Sequence, residues 1–338
     1  MMRMAMVVGL LLLALSAHAL APRAISWADG QATYLAALAD GRLRLAQVVT
    51  SATQELATLP APGITTLAVG RWQGKPVVLG ARGSRLLRLN LTSRSWVTLG
   101  TFPSPIRQLL PARDATPAAL VLTGGSGAPV PRDGAVWWVH WARRFRRTRL
   151  VAVKPNFRPW QLWWTRMGTV PCFAAATYKS TTFAPFAHNC MFLFRWRHGT
   201  AEARWLGSRL NRPYVDATHA PLGAYGVWRM VSVEVTKDGG RGLSVYHAID
   251  FGYEGEWRSE AMPGLERVAA YGDAVLAWGH DPGTGRPCAW WVLTAETGYR
   301  LQPCPKAPPA PEAATRVTGT RMIGWWDGHW HLSPLCSE

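Results

Sequence analysis

Seven residues hold the densest chemistry in the chain: Lys154, Arg158, Arg209, Arg212, Tyr214, Asp216 and His219. They fall near the starts of two predicted strands and combine four cationic side chains with a phenol, a carboxylate and an imidazole. That mixture suits capture of an anion by charge and hydrogen bonding. It suits turnover less well, because glycoside hydrolysis needs two carboxylates facing one cleft. Asp216 has no partner nearby, and Glu234, Asp250 and Glu254 fall further along the chain. A lyase using Tyr214, His219 and Arg209 is the enzymatic alternative, and hydrogen bonding between neighbouring sheets is the structural one.

Other motifs are weaker. His329-x-His331 and His188-x-Cys190 each put two metal-ligand types on one strand face, where a tetrahedral centre wants three or four. Gly124-Gly125-Ser126-Gly127 has neither the following helix nor the lysine of a phosphate loop and reads as a hairpin loop. The expectation is no catalytic residue, no metal and no cofactor. Arg143-Arg144-Phe145-Arg146-Arg147-Thr148-Arg149 reads as an exposed outer hairpin, solvated or open to polyanions.

The elements that must position these residues are strands. Ile64–Val69, Pro76–Gly80, Arg85–Leu89 and Ser95–Leu99 are short alternating or apolar runs separated by turns. Four such strands make one blade of a β-propeller, and comparable units begin near Ile25, Ile106, Trp160, Tyr214, Leu265 and Thr315, a spacing of roughly 40 to 55 residues. Asp29-Gly30, Asp40-Gly41, Asp133-Gly134, Asp238-Gly239 and Asp327-Gly328 are turn chemistry, since hairpins need residues that tolerate positive φ. The short last unit, from Thr315, would be completed by an N-terminal strand at Ala24–Trp27. This gives an all-β chain with one propeller of seven four-stranded antiparallel blades, its ring closed by the two termini. The innermost strand ends would line an axial funnel, and the seven residues above would sit at its mouth.

Arg3, the apolar run Val7–Leu15 and the small-residue pattern Ala17-His18-Ala19 describe a cleavable secretory signal over residues 1–19, with the propeller domain spanning 20–338. The apolar run is about half of the ~20 residues a spanning helix needs, so no transmembrane segment is expected. A secreted or periplasmic location follows. Lys+Arg 37 against Asp+Glu 20 gives a formal charge of +17, which favours an anionic polysaccharide, an envelope polymer or an acidic protein surface. Export argues against nucleic acid as a partner, and the chain reads as a monomer. Apolar residues at 48% and charged residues at 17% supply a packed core and exclude disorder.

Five cysteines in an oxidising compartment permit disulfides. Cys288 and Cys304 flank a predicted hairpin and are expected to bridge. Cys172 and Cys190 share a predicted blade, although hairpin register sets Cys190 nearer Tyr178, and Cys336 is left over. The 19 tryptophans exceed what packing alone uses, and most are expected to wedge between blades.

Lys154–Trp160, Phe192–Trp196, Trp205–Leu210, Arg212–Tyr214 and the Val245-Tyr246 and Phe251-Gly252-Tyr253 pairings over residues 150–255 resemble bacterial FG-GAP/VCBS-type propeller proteins. The resemblance implies a binding or scaffold propeller and brings no catalytic residues. It also implies calcium loops, but the matching positions, Thr165–Thr169 and Ala220–Ala224, hold no carboxylate, so calcium is not expected there. Together these readings describe an exported, non-enzymatic propeller that binds or scaffolds at the cell envelope. A carbohydrate-active lyase or hydrolase working in the funnel is the alternative.

Overall fold

The computed structural model describes residues 24–29, 32–49, 52–114, 116–124, 134–150, 157, 159–180, 187–197, 199–207, 210, 212–222, 226–271, 274–295, 298–304, 313–318, 321–326 and 329–334. Its elements are β-strands in two compact units.

The first unit holds three four-stranded sheets and one three-stranded sheet, each with its strands in chain order or its mirror. The first sheet is β1 (Ala24–Asp29), β2 (Ala32–Ala39), β3 (Arg42–Val49) and β4 (Ala52–Pro60). The second is β5 (Thr66–Trp72), β6 (Lys75–Arg82), β7 (Arg85–Asn90) and β8 (Ser95–Thr101). The third is β9 (Ile106–Pro111), β10 (Ala118–Thr123), β11 (Ala135–His140) and β12 (Arg146–Arg149). The C-terminal sheet is β25 (Ala313–Thr318), β26 (Arg321–Trp326) and β27 (His329–Pro334).

The second unit holds three four-stranded sheets. They are β13 (Pro159–Met167), β14 (Val170–Lys179), β15 (His188–Arg197) and β16 (Thr200–Leu206); β17 (Tyr214–Pro221), β18 (Trp228–Val235), β19 (Arg241–Ile249) and β20 (Gly252–Arg258); and β21 (Leu265–Tyr271), β22 (Ala274–His280), β23 (Pro287–Ala295) and β24 (Gly298–Pro303).

The architecture is that of a β-propeller with six four-stranded antiparallel blades, and the seven expected from the sequence are corrected to six. The seventh repeat, β25–β27, has three strands, and the N-terminal strand does not complete it. Instead β1 pairs with β2, Asp29 opposite Ala32 across a two-residue connection, which commits it to its own sheet.

Local chemistry explains the hairpins. Asp40 and Gly41 join β2 to β3 with φ of 51° and 68°, the double positive φ of a type I′ turn that matches the twist of the flanking strands. Burial grades across each blade. All six residues of β10 are buried and all four of β12 are exposed. A second strand such as β10 therefore reads as a continuous apolar run, while a fourth strand such as β12 is polar.

Leu38, Leu43, Leu59, Leu67, Val78 and Leu89 fill the space between the first two sheets. Val231, Val245, Val268, Val275 and Val292 do the same in the second unit. Removing a side chain of this size from water stabilises by about 1.5–3 kcal/mol. Indoles lock neighbouring sheets as expected. Trp141 Nε1 donates to Arg71 O at 2.9 Å and Trp96 Nε1 to Pro60 O at 3.2 Å.

The cysteine pairing is corrected too. Trp290 pairs with Pro303, and Cys304 N donates to Ala289 O at 2.8 Å, so Cys304 faces Ala289 rather than Cys288. Strand alternation sends the two thiols to opposite faces. Cys172 pairs with Arg195 and Cys190 with Thr177, five residues out of step. Among the described residues no cysteine pair is joined. Cys336, Lys154, Arg158 and Arg209 lie outside the described residues, as do residues 1–23, 125–133 and 223–224. Of the stretch Thr165–Thr169, where no calcium is expected, Thr165–Met167 close β13 and lead into Gly168 at φ +57°.

Candidate functional site

Tyr214, Asp216 and His219 all lie on β17, yet the strand separates their roles. Asp216 is 6% exposed, and its carboxylate accepts from Val268 N on β21 at 3.0 Å. Burial raises its pKa to about 6, against the Val268 hydrogen bond and the Arg267 charge. His219 points the other way, as residues three apart on a strand must. Its Nε2 shares a 2.9 Å hydrogen bond with the Tyr253 hydroxyl, and its ring lies 5.3 Å from that of Trp163. Tyr214 is fully buried, its main-chain carbonyl accepts from Asn189 Nδ2 at 3.0 Å, and burial drives its phenol well above the usual range. Arg212 is half-buried and acts electrostatically on Asp238. Of the seven candidates, the three on β17 are therefore tied into packing between sheets.

A second polar group lies on the same blade. Glu234, 1% exposed on β18, accepts from Ser244 Oγ at 2.7 Å and from the Tyr246 hydroxyl, with Arg258 Nε 3.9 Å away. Burial pushes the Tyr246 phenol up to about 12. A carboxylate held this way braces the sheet and has no room to attack a substrate.

An open cleft among the described residues lies elsewhere, between the first two sheets, with β1–β4 on one side and the β5–β6 and β7–β8 turns on the other. It holds about 520 Å³ and is lined by Trp27, Tyr34, Trp72, Lys75, Arg88 and Arg94 over an aliphatic floor. This volume is within the roughly 300–1,000 Å³ of small-molecule sites. Trp27 and Tyr34 stack at 5.5 Å between centroids and 19° between planes, making one aromatic wall. Arg88 lies over the Trp72 ring at 4.1 Å, and its Nε is buried without a hydrogen-bond partner. The cation–π contact holds the guanidinium against the indole at the lining of the cleft. Gln73 and Gly74, at φ 51° and 78°, form the tight turn that carries Trp72 and Lys75 to the rim. Against three cations the lining offers one carboxylate, Asp29.

Sequence reasoning missed this cleft because its residues come from seven strands of two blades. Each reads alone as a core tryptophan or a surface arginine. The available signal was an alternating strand, Arg85–Asn90, with a cation at its half-buried position 88.

The basic run is where it was expected to be, on the outer strand β12. Arg147 also reaches back over the rings of Phe102 and Trp137, at 5.5 and 5.4 Å.

No protein-family model and no curated protein sequence matches the chain. Solved structures do. The chain is similar to the hydrazine synthase of Kuenenia stuttgartiensis, with 8% identity, TM-score 0.58, and 93% of this chain and 94% of that one covered. It is similar to a chain of the mitotic checkpoint complex, with 8% identity, TM-score 0.56 and 94% of each chain covered. It is also similar to a Bacteroides uniformis protein provisionally assigned as a 6-phosphogluconolactonase, with 13% identity, TM-score 0.53 and 84% of each chain covered. At such identities the likeness is one of fold, shared by proteins with unrelated tasks, so function has to be argued from the site.

Proposed function

We propose that this chain is an exported, non-enzymatic binding module of the cell envelope that takes an anionic ligand or partner in the cleft between its first two sheets. The observation that carries this is the set of three cations in the lining, Arg88 held over the Trp72 ring with Lys75 and Arg94, against a single carboxylate. A ligand carboxylate or phosphate would be held there by charge-assisted hydrogen bonds. The excess of Lys+Arg over Asp+Glu, 37 to 20, steers such a ligand from a distance. The residues resembling FG-GAP/VCBS-type propellers support the same binding or scaffold role for a single propeller beginning after a signal at residues 1–19. The enzymatic reading finds less support, because Asp216 and Glu234 are each buried in hydrogen bonds that their sheets need.

The test is binding of organic carboxylates, organic phosphates and anionic envelope polymers at rising salt, with two double variants. Arg88→Ala with Arg94→Ala is expected to weaken binding tenfold or more, and the affinity of the unaltered protein to fall as salt rises, since screening is strong beyond about 8–10 Å. Arg209→Ala with Arg212→Ala tests the set at the start of β17. If only this second pair lowers affinity, the ligand sits there and the cleft assignment is wrong.

A further inference from the structure

Resting on the reading that the cleft binds an anion, we infer that its ligand is amphiphilic: a flexible aliphatic chain ending in one carboxylate or phosphate. The lining decides this. Leu45, Leu59, Val78 and Leu89 are buried in the floor, and Leu56 and Leu91, at 49% and 63% exposure, stand at the mouth. Two large aliphatic side chains left in water beside a floor of the same kind make a continuous apolar track from solvent into the cleft. Trp27, Tyr34 and Trp72 extend it with aromatic surface.

A saccharide would need many polar partners for its hydroxyls, and the lining offers few. Asn90 is partly consumed, its Oδ1 accepting from Thr92 N and Ser93 N at 3.0 and 3.3 Å. Gln73, Asp29 and the Tyr34 hydroxyl are the main polar groups left besides the cations. Buried hydroxyls without partners are costly, whereas methylenes on this track gain from leaving water. The cations stand on the second sheet: Arg88 is fixed on Trp72, Lys75 is exposed beside it, and Arg94 follows Leu91 in the turn after β7. A single anionic head there would let the chain run toward Leu56 and Leu59 on β4.

The test is calorimetric titration of the whole protein with hexanoate, octanoate and decanoate below their micelle concentrations, with octyl phosphate, octyl glucoside and tri-galacturonate as companions. Affinity is expected to rise by up to about three- to fourfold per added methylene. Octyl phosphate should bind at least as well as octanoate, and octyl glucoside at least tenfold more weakly. Leu56→Asn with Leu91→Asn, exposed positions where the fold tolerates change, should flatten the chain-length series. Arg88→Met, which keeps the packing on Trp72, should reduce every anion alike. A flat series, or equal binding of octyl glucoside, overturns the inference. Binding of tri-galacturonate without decanoate overturns it too, while leaving the anion-binding reading intact. Failure of every anion removes both.

Discussion

At the scale of single residues, Asp216 shows how a side chain with catalytic credentials can be spent on architecture. Its pKa of about 6 comes from burial. Because the folded value lies above the ordinary 3.8, the native state holds the proton more tightly than the unfolded chain does. Stability from this group is therefore fully present below about pH 4 and is lost as pH rises through 6, a swing on the order of 3 kcal/mol. Asp216→Asn keeps an acceptor for the Val268 N–H and removes the charge. The melting temperature of the variant relative to the unaltered protein is expected to climb between pH 4 and pH 7. A constant difference across that window would mean the carboxylate ionises normally. The residue types on β17 were legible in the sequence, but their directions were not. The bulge between Tyr214 and Asp216 resets the alternation, and a period-two pattern cannot show it.

At the scale of elements, the repeat was readable to within two residues. Ile25, Ile64, Ile106, Trp160, Tyr214, Leu265 and Thr315 each fall in or just before the first strand of a sheet. Turn chemistry and strand pattern act locally, so sequence carries them. How closely two main chains approach within a hairpin is not shown by the strand pattern. Gly264 and Gly279 approach so closely that a Cβ on Gly279 would lie 1.9 Å from Gly264 O and 2.8 Å from Leu265 Cα. Gly279→Ala is expected to destabilise by about 1–3 kcal/mol, with the main chain forced to move. Gly255→Ala, whose Cβ would meet Tyr246 at an ordinary 3.5 Å, should be nearly neutral and serves as the control. Equal melting temperatures for the two variants would show that the β21–β22 hairpin yields freely. The expected Cys288 to Cys304 bridge fails for a related reason. A hairpin fixes which residues are neighbours, and an offset of one position reverses the face.

At the scale of the whole molecule, the fold class was legible and the blade count was not. Counting repeats gives seven units, but a strand can serve only one sheet, and β1 pairs with β2. The cleft was illegible because it exists only once two blades pack together. For the carboxylate-free stretches Thr165–Thr169 and Ala220–Ala224 the expectation is negative: millimolar calcium should leave the melting temperature unchanged. A rise of several degrees reversed by a chelator would contradict this, because a ligand of the folded state stabilises it by mass action.

The outer strand β12 has a further consequence for how copies of the molecule meet. A sheet edge carries unpaired main-chain donors and acceptors that could template another chain, and β12 hydrogen-bonds only β11 among the described residues. Its sequence is Arg-Arg-Thr-Arg, exposed throughout. Two such edges brought together would oppose three guanidinium groups with three, so like-charge repulsion keeps the edge from adding strands from a second copy. This protection is electrostatic and therefore conditional on ionic strength. Light scattering at rising salt should show self-association growing as the charges are screened. Arg146→Thr with Arg149→Thr should associate already at low salt, and a variant that stays dispersed there would show that shape rather than charge guards the edge.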